Sequence, residues 1–126
     1  MKLQIEGQQL RVRVNEGELA VLLAGQVVES RTCLGQGVEW GATLRLTQHA
    51  EATFDGSAAA WQIGLPHADV CGLAARLPAR DGLHFDLEVD AQAPALRLLF
   101  DVDVRDSVKH RGGRRAAGPV AGADAG

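Results

Sequence analysis

Leu83-His84-Phe85-Asp86-Leu87-Glu88-Val89-Asp90 changes character at every step. Side chains of an extended chain point alternately to opposite faces, so Leu83, Phe85, Leu87 and Val89 share one face. His84, Asp86, Glu88 and Asp90 then share the other. A helix would scatter these apolar residues around its surface, whereas a strand gathers them on one side. The stretch predicts a half-buried strand over 83–90, and the same period of two organises most of the chain.

Outward from it, residues 96–104 alternate as a last strand, joined to the first by a turn at 91–94. Upstream, Asp81-Gly82 turns the chain into Leu83. Before that, Val70, Leu73, Ala74 and Leu77 recur at helical spacing, with Pro66 suited to the first helical position and Pro78 stopping the helix. Trp61, Ile63 and Leu65 lie on one side of a strand over 59–65. Asp55-Gly56 reads as a tight hairpin turn between that strand and 52–54.

The first half repeats the order. Leu3 and Ile5 alternate with polar neighbours, as do Leu10, Val12 and Val14 with Arg11 and Arg13, across a turn at 6–9. Asn15 offers a helix N-cap and Glu18 stands where a capping box needs it. Leu19, Leu22 and Leu23 form the stripe of a short helix that Gly25 can end. Strands over 26–33 and 43–48 follow, separated by a loop with Gly35, Gly37 and Gly41 that carries Trp40, expected to fold over one end of the sheet.

Strand, strand, helix, strand, strand is thus given twice, without evident sequence identity. The expected architecture is α+β: one curved or closed antiparallel sheet of about eight strands, with two short helices covering its open ends or faces.

Of the 126 residues, 46% are apolar and 23% charged, the balance of a water-soluble domain. Periodicity ends near Ser107, giving one globular domain over 1–106 and a Gly/Ala-rich basic tail over 107–126 expected to be disordered. Charge divides the same way. Residues 1–106 carry 9 basic and 15 acidic side chains, whereas the tail sets Lys109, Arg111, Arg114 and Arg115 against Asp124. An acidic body repels nucleic acid and anionic membrane at long range. The basic tail has no interleaved aromatic on which bases could stack, so nucleic acid is not an expected partner. No apolar run approaches the roughly 20 residues of a membrane helix, and the N-terminus lacks a charged and then apolar leader pattern. A cytoplasmic protein is expected, with Cys33 and Cys71 as buried, reduced thiols.

Candidate chemistry sits on the polar strand faces. Arg11 and Arg13 face one way from the second strand, Asp86 and Glu88 from the seventh, and Asp101 from the last. If a closing sheet turned these inward, the arginines could clamp phosphate oxygens and the carboxylates could hold a hard divalent cation. Triphosphate tunnel enzymes work by that logic. Their E-x-E-x-K signature is absent, since Lys2-Leu3-Gln4-Ile5-Glu6 stands there. The bland reading is a solvated face of cross-strand ion pairs, each worth under about 1 kcal/mol.

Other chemistry finds little footing. His49, His67, His84 and His110 fall in separate segments without metal-ligand spacing. Ser57 lies in no G-x-S-x-G elbow, and Gly35-Gln36-Gly37 lacks the third glycine and strand-to-helix context of a dinucleotide site. Cys71 reads as a packing residue of the second helix. No catalytic residue, cofactor or metal is expected. The functional expectation is a non-catalytic binding or accessory domain for an unidentified protein or small molecule. The alternative is a small enzyme or binder of phosphorylated ligands using Arg11, Arg13, Asp86, Glu88 and Asp101.

Met1-Lys2-Leu3-Gln4-Ile5-Glu6-Gly7, then Leu10-Arg11-Val12-Arg13-Val14 and a helix opened by Glu16 and Glu18, resembles a family of small uncharacterised bacterial proteins. Its members read M-K-[ILV]-R-I-x-G-N-S-[IL]-R-[LF]-R-L over this hairpin. Leu96-Arg97-Leu98-Leu99-Phe100-Asp101-Val102-Asp103 is similar to that family's last strand. Gln8-Gln9 replaces the family's Asn-Ser, and the basic tail replaces an acidic end. The resemblance implies a bacterial cytosolic domain of this fold and brings no activity or catalytic residues.

Overall fold

The computed structural model describes residues 1–88 and 91–104. The tail over 107–126, with His110, lies outside them, as do Val89 and Asp90 of the deciding stretch. The elements are β1 (Lys2–Glu6), β2 (Gln9–Asn15), α1 (Glu16–Leu23), β3 (Val28–Gly35), β4 (Val38–Thr47), β5 (Thr53–Ser57), β6 (Ala60–Pro66), α2 (His67–Ala75), β7 (Leu83–Leu87) and β8 (Leu96–Asp103).

Local chemistry explains the ends of α1. The Asn15 side chain accepts the Glu18 N–H at 2.7 Å, and the Glu18 carboxylate accepts the Asn15 N–H at 3.0 Å. This closes the anticipated capping box. At the other end Gly25, at φ +87°, donates to the Leu22 carbonyl, and the Gln26 N–H reaches back to Val21. Those two bonds form a Schellman C-cap. In α2, Pro66 is the cap residue rather than the first helical one, and it still belongs to β6.

Among the described residues the α+β class, with eight strands and two helices, stands as expected; one curved or closed antiparallel sheet does not. The strands form two separate four-stranded sheets, ordered β1-β2-β8-β7 and β3-β4-β6-β5. Each is mixed: the outer pairs are antiparallel hairpins, while the central pairs β2·β8 and β4·β6 run parallel. Period-two alternation tells each strand which face is dry but not which strand lies beside it. Hairpins are local and were recoverable; the parallel joins link segments far apart in sequence.

The twofold order is a structural repeat. Shifting by 51 residues carries β1 onto β5 (Lys2 to Thr53), β2 onto β6 (Asn15 to Pro66) and the start of α1 onto that of α2 (Glu16 to His67). Hairpin registers follow, with Lys2 opposite Arg13 and Thr53 opposite Gly64. So do the parallel joins, where Asn15 pairs with Asp103 and Pro66 with Thr47. The two halves exchange hairpins: each sheet is built from one hairpin of each half.

One core fills the space between the sheets. Leu10, Val12, Val14, Leu98 and Phe100 face inward from the first sheet, and Leu44, Ile63 and Leu65 from the second. Leu19 and Leu22 of α1, and their equivalents Val70 and Leu73 of α2, are buried in the same cluster. Both helices touch strands of both sheets. They join two sheets that share no strand pairing, the role a closed barrel would have made unnecessary. No polar or charged residue is buried among the described residues.

Two turn assignments change. Asp55 and Gly56 lie within β5, and the chain reverses at Ala58 and Ala59. Gly56 is required by the close approach of the two arms: its φ is +106°, and a Cβ there would stand 2.1 Å from the Ala60 carbonyl oxygen. Trp40 is not in a loop but in β4, its ring edge-on to Trp61 with centroids 4.9 Å apart. Phe54 also tilts against Trp61, with ring centroids 5.4 Å apart.

Candidate functional site

The five candidate residues all belong to the first sheet or the segment following β7. The outward parity of β2 and β8 sets Arg13 opposite Asp101 in register, with Arg11 one row along. Asp101 draws both arginines. Arg13 Nε donates to Oδ1 at 3.0 Å, and Arg11 donates from Nη2 at 2.7 Å and Nε at 3.2 Å to Oδ2. Burial pushes the Asp101 carboxyl up, but hydrogen bonds and charge from Arg13 and Arg11 outweigh it and hold it below the ordinary carboxylate value. The arginine side chains keep about 40% and 39% of their surface in water.

Asp86 and Glu88 lie elsewhere. Asp86 pairs in register with Arg97 and accepts a long 3.4 Å hydrogen bond from its Nε. Glu88 is exposed just past the end of β7. The structure therefore brings Arg11, Arg13 and Asp101 together on an outward sheet face and sets the other two carboxylates at the β7 edge. With two open sheets in place of a closed one, these faces turn to solvent, not to an interior cavity.

The β7 edge has a feature that strand-by-strand reading missed. β7 ends the first sheet and β5 ends the second, and a groove of roughly 1270 Å³ opens between the two edges. Its apolar lining comes from the buried Ala52 and from Phe54, Phe85 and Leu87, inward-facing strand residues that the sheet edges leave half-covered. Glu51, Asp55, Asp69, Asp86 and Glu88 set five carboxylates along it, against Arg97 and His84. Edge strands present backbone groups with no partner on their outer side, so the groove offers apolar surface, negative charge and strand-pairing capacity together. Acidic residues in 51–88 were visible in the sequence. Their convergence depends on which strands become edges, which the alternation does not encode.

The remaining candidates are dispersed. Neither cysteine is buried as expected: Cys33 is exposed on β3, and Cys71 is half-buried on α2. Cys71 Sγ lies 3.5 Å from His67 Nε2, one helical turn earlier. Among the described residues no three His, Cys, Asp or Glu side chains are grouped to hold a metal ion. No described helix is long and apolar enough to cross a membrane.

Compared with known proteins, the chain matches no family model, no curated protein and no solved structure.

Proposed function

We propose that this protein is a non-catalytic binding module that receives an extended, cationic segment of a partner protein in the acidic groove between β5 and β7. The groove itself carries the reading: two open sheet edges flank an apolar strip rimmed by five carboxylates. An extended chain can add to a sheet edge through main-chain hydrogen bonds while alternate side chains enter the groove and face its rim. Apolar residues then meet Phe54, Phe85 and Leu87, and Lys or Arg residues meet Asp55, Asp86 and Glu88. The volume exceeds the roughly 300–1,000 Å³ usual for a small ligand, which favours a segment of chain. Rim charge speeds encounter with a basic partner more than it deepens affinity, so binding should weaken steeply with salt.

Clamping of a phosphorylated ligand by Arg11 and Arg13 draws less support, because Asp101 already occupies both guanidiniums. A bacterial cytosolic setting, as the N-terminal resemblance implies, accords with two free thiols.

The test is titration of the full-length chain with a fluorescent peptide alternating Leu or Val with Lys or Arg, at low salt. Saturable binding that weakens at least tenfold in Asp55→Lys/Glu88→Lys supports the reading. Absence of binding, or binding indifferent to the double substitution, refutes it. Inorganic triphosphate serves as the competing probe: a thermal shift with triphosphate that Arg11→Ala/Arg13→Ala abolishes would move the site to the outer face.

A further inference from the structure

We infer that the groove's resident occupant is this chain's own basic stretch, residues 109–115, an inference that rests on the groove being the binding site. Charge and reach both point there. Lys109, Arg111, Arg114 and Arg115 fall within seven residues, the densest positive run in the chain. The groove concentrates Asp55, Asp86 and Glu88 on its rim. β8 delivers the chain to its neighbour: Phe100 pairs with Leu83 at the start of β7, and Arg97 with Asp86 further along it.

The described chain ends at Val104, just beyond the start of β7. At about 3.3 Å per extended residue, the five steps to Lys109 span roughly 17 Å and the eleven to Arg115 roughly 36 Å. Returning from Val104 to the level of Asp86, seven register positions back along β8, takes about 23 Å. The basic run brackets that distance. A tethered segment reaches an effective concentration near the millimolar range, so even a weak fit competes with a partner in solution. The stretch thereby raises the threshold for partner binding, and a partner must displace it.

Carbodiimide coupling of the full-length chain, read by mass spectrometry, tests this directly. Lys109 should form amide links within one chain to groove carboxylates, Asp86 foremost because Glu88 lies two register positions further from Val104, and lose them at high salt. The second arm is the peptide titration repeated on the full-length quadruple variant Lys109→Ala/Arg111→Ala/Arg114→Ala/Arg115→Ala. Binding about tenfold tighter than to the native chain is expected. If the peptide binds both proteins equally and Lys109 shows no groove link, the inference fails while the groove stands as a binding site. If Lys109 links only between chains, a second copy is the occupant and the inference is overturned. If the peptide binds neither protein, the groove reading falls, and the inference with it.

Discussion

Arg13 and Asp101 are register partners across the parallel join of β2 and β8, with Nε to Oδ1 at 3.0 Å. That join links residues near the two ends of the domain, so the pair ties the first hairpin to the last. Asp101→Asn should destabilise the protein at pH 7 by about 1 kcal/mol, a value kept small because the partners are half in water. The pH dependence has a definite sign. A carboxyl held below its unfolded value contributes stability that is complete above the unfolded pKa and is lost as pH falls through the folded one. The stability gap between native protein and Asp101→Asn should therefore be widest at neutral pH and close in the acid range. Denaturant melts between neutral pH and pH ~3 would show it; a constant gap would assign the effect to packing.

Gly56 supplies a second expectation. Any side chain there meets the Ala60 carbonyl at 2.1 Å and must also adopt φ +106°. Gly56→Ala should cost about 2 kcal/mol or more, because steric strain in the folded state outweighs the gain from a stiffer unfolded chain. Gly72, on α2 with open space around its Cβ position, is the control. Gly72→Ala should be neutral or stabilising by up to about 1 kcal/mol through helix propensity. Equal melting temperatures for the two variants would contradict the tight β5–β6 approach.

The structural repeat makes a prediction about equivalence. Leu22 and Leu73 are related by the 51-residue shift, and each is essentially inaccessible in the shared core. Leu22→Ala and Leu73→Ala should each cost about 2–5 kcal/mol, and the two losses should agree more closely than that range requires. A loss confined to one of them would mean that one helix alone holds the two sheets together.

How far the sequence reached can be judged from particular residues. Asn15, Glu18 and Gly25 disclosed α1 and both its ends, because caps are made within a few residues of chain. Leu83, Phe85 and Leu87 disclosed a strand and its dry face for the same reason. Gly56 misled: next to Asp55 it imitates a two-residue turn, yet it serves the close contact with Ala60 inside the hairpin arm. Trp40 misled too, since nearby glycines suggested a loop, while pairing with Thr32 keeps it in β4. Of the candidate site, only the polar parity of Arg11, Arg13 and Asp101 within their own strands was legible, since their meeting depends on the β2·β8 pairing. The groove was not. Phe54 and Phe85 belong to different sheets, and only the division into two sheets, decided by packing around α1 and α2, makes β5 and β7 edges beside one another.

The aromatic cluster permits a spectroscopic check of that division. Trp40 from β4 and Trp61 from β6 meet edge-on, with an interplanar angle of 84°, while the Trp61 indole N–H donates to the Ala58 carbonyl at 3.0 Å. Two indoles this close and this inclined should couple and produce a far-ultraviolet exciton couplet in circular dichroism. Trp40→Phe should remove the couplet at a stability cost of about 1 kcal/mol, since Trp40 sits at the margin and a ring remains to face Trp61. Trp61→Phe should also remove it and cost more, because that indole touches Phe54 as well and its hydrogen bond to the hairpin turn is lost. The two tryptophans meet because β4 and β6 are neighbours in the second sheet, with Ala42 opposite Trp61. A couplet absent from the native protein would therefore contradict the join on which the second sheet depends.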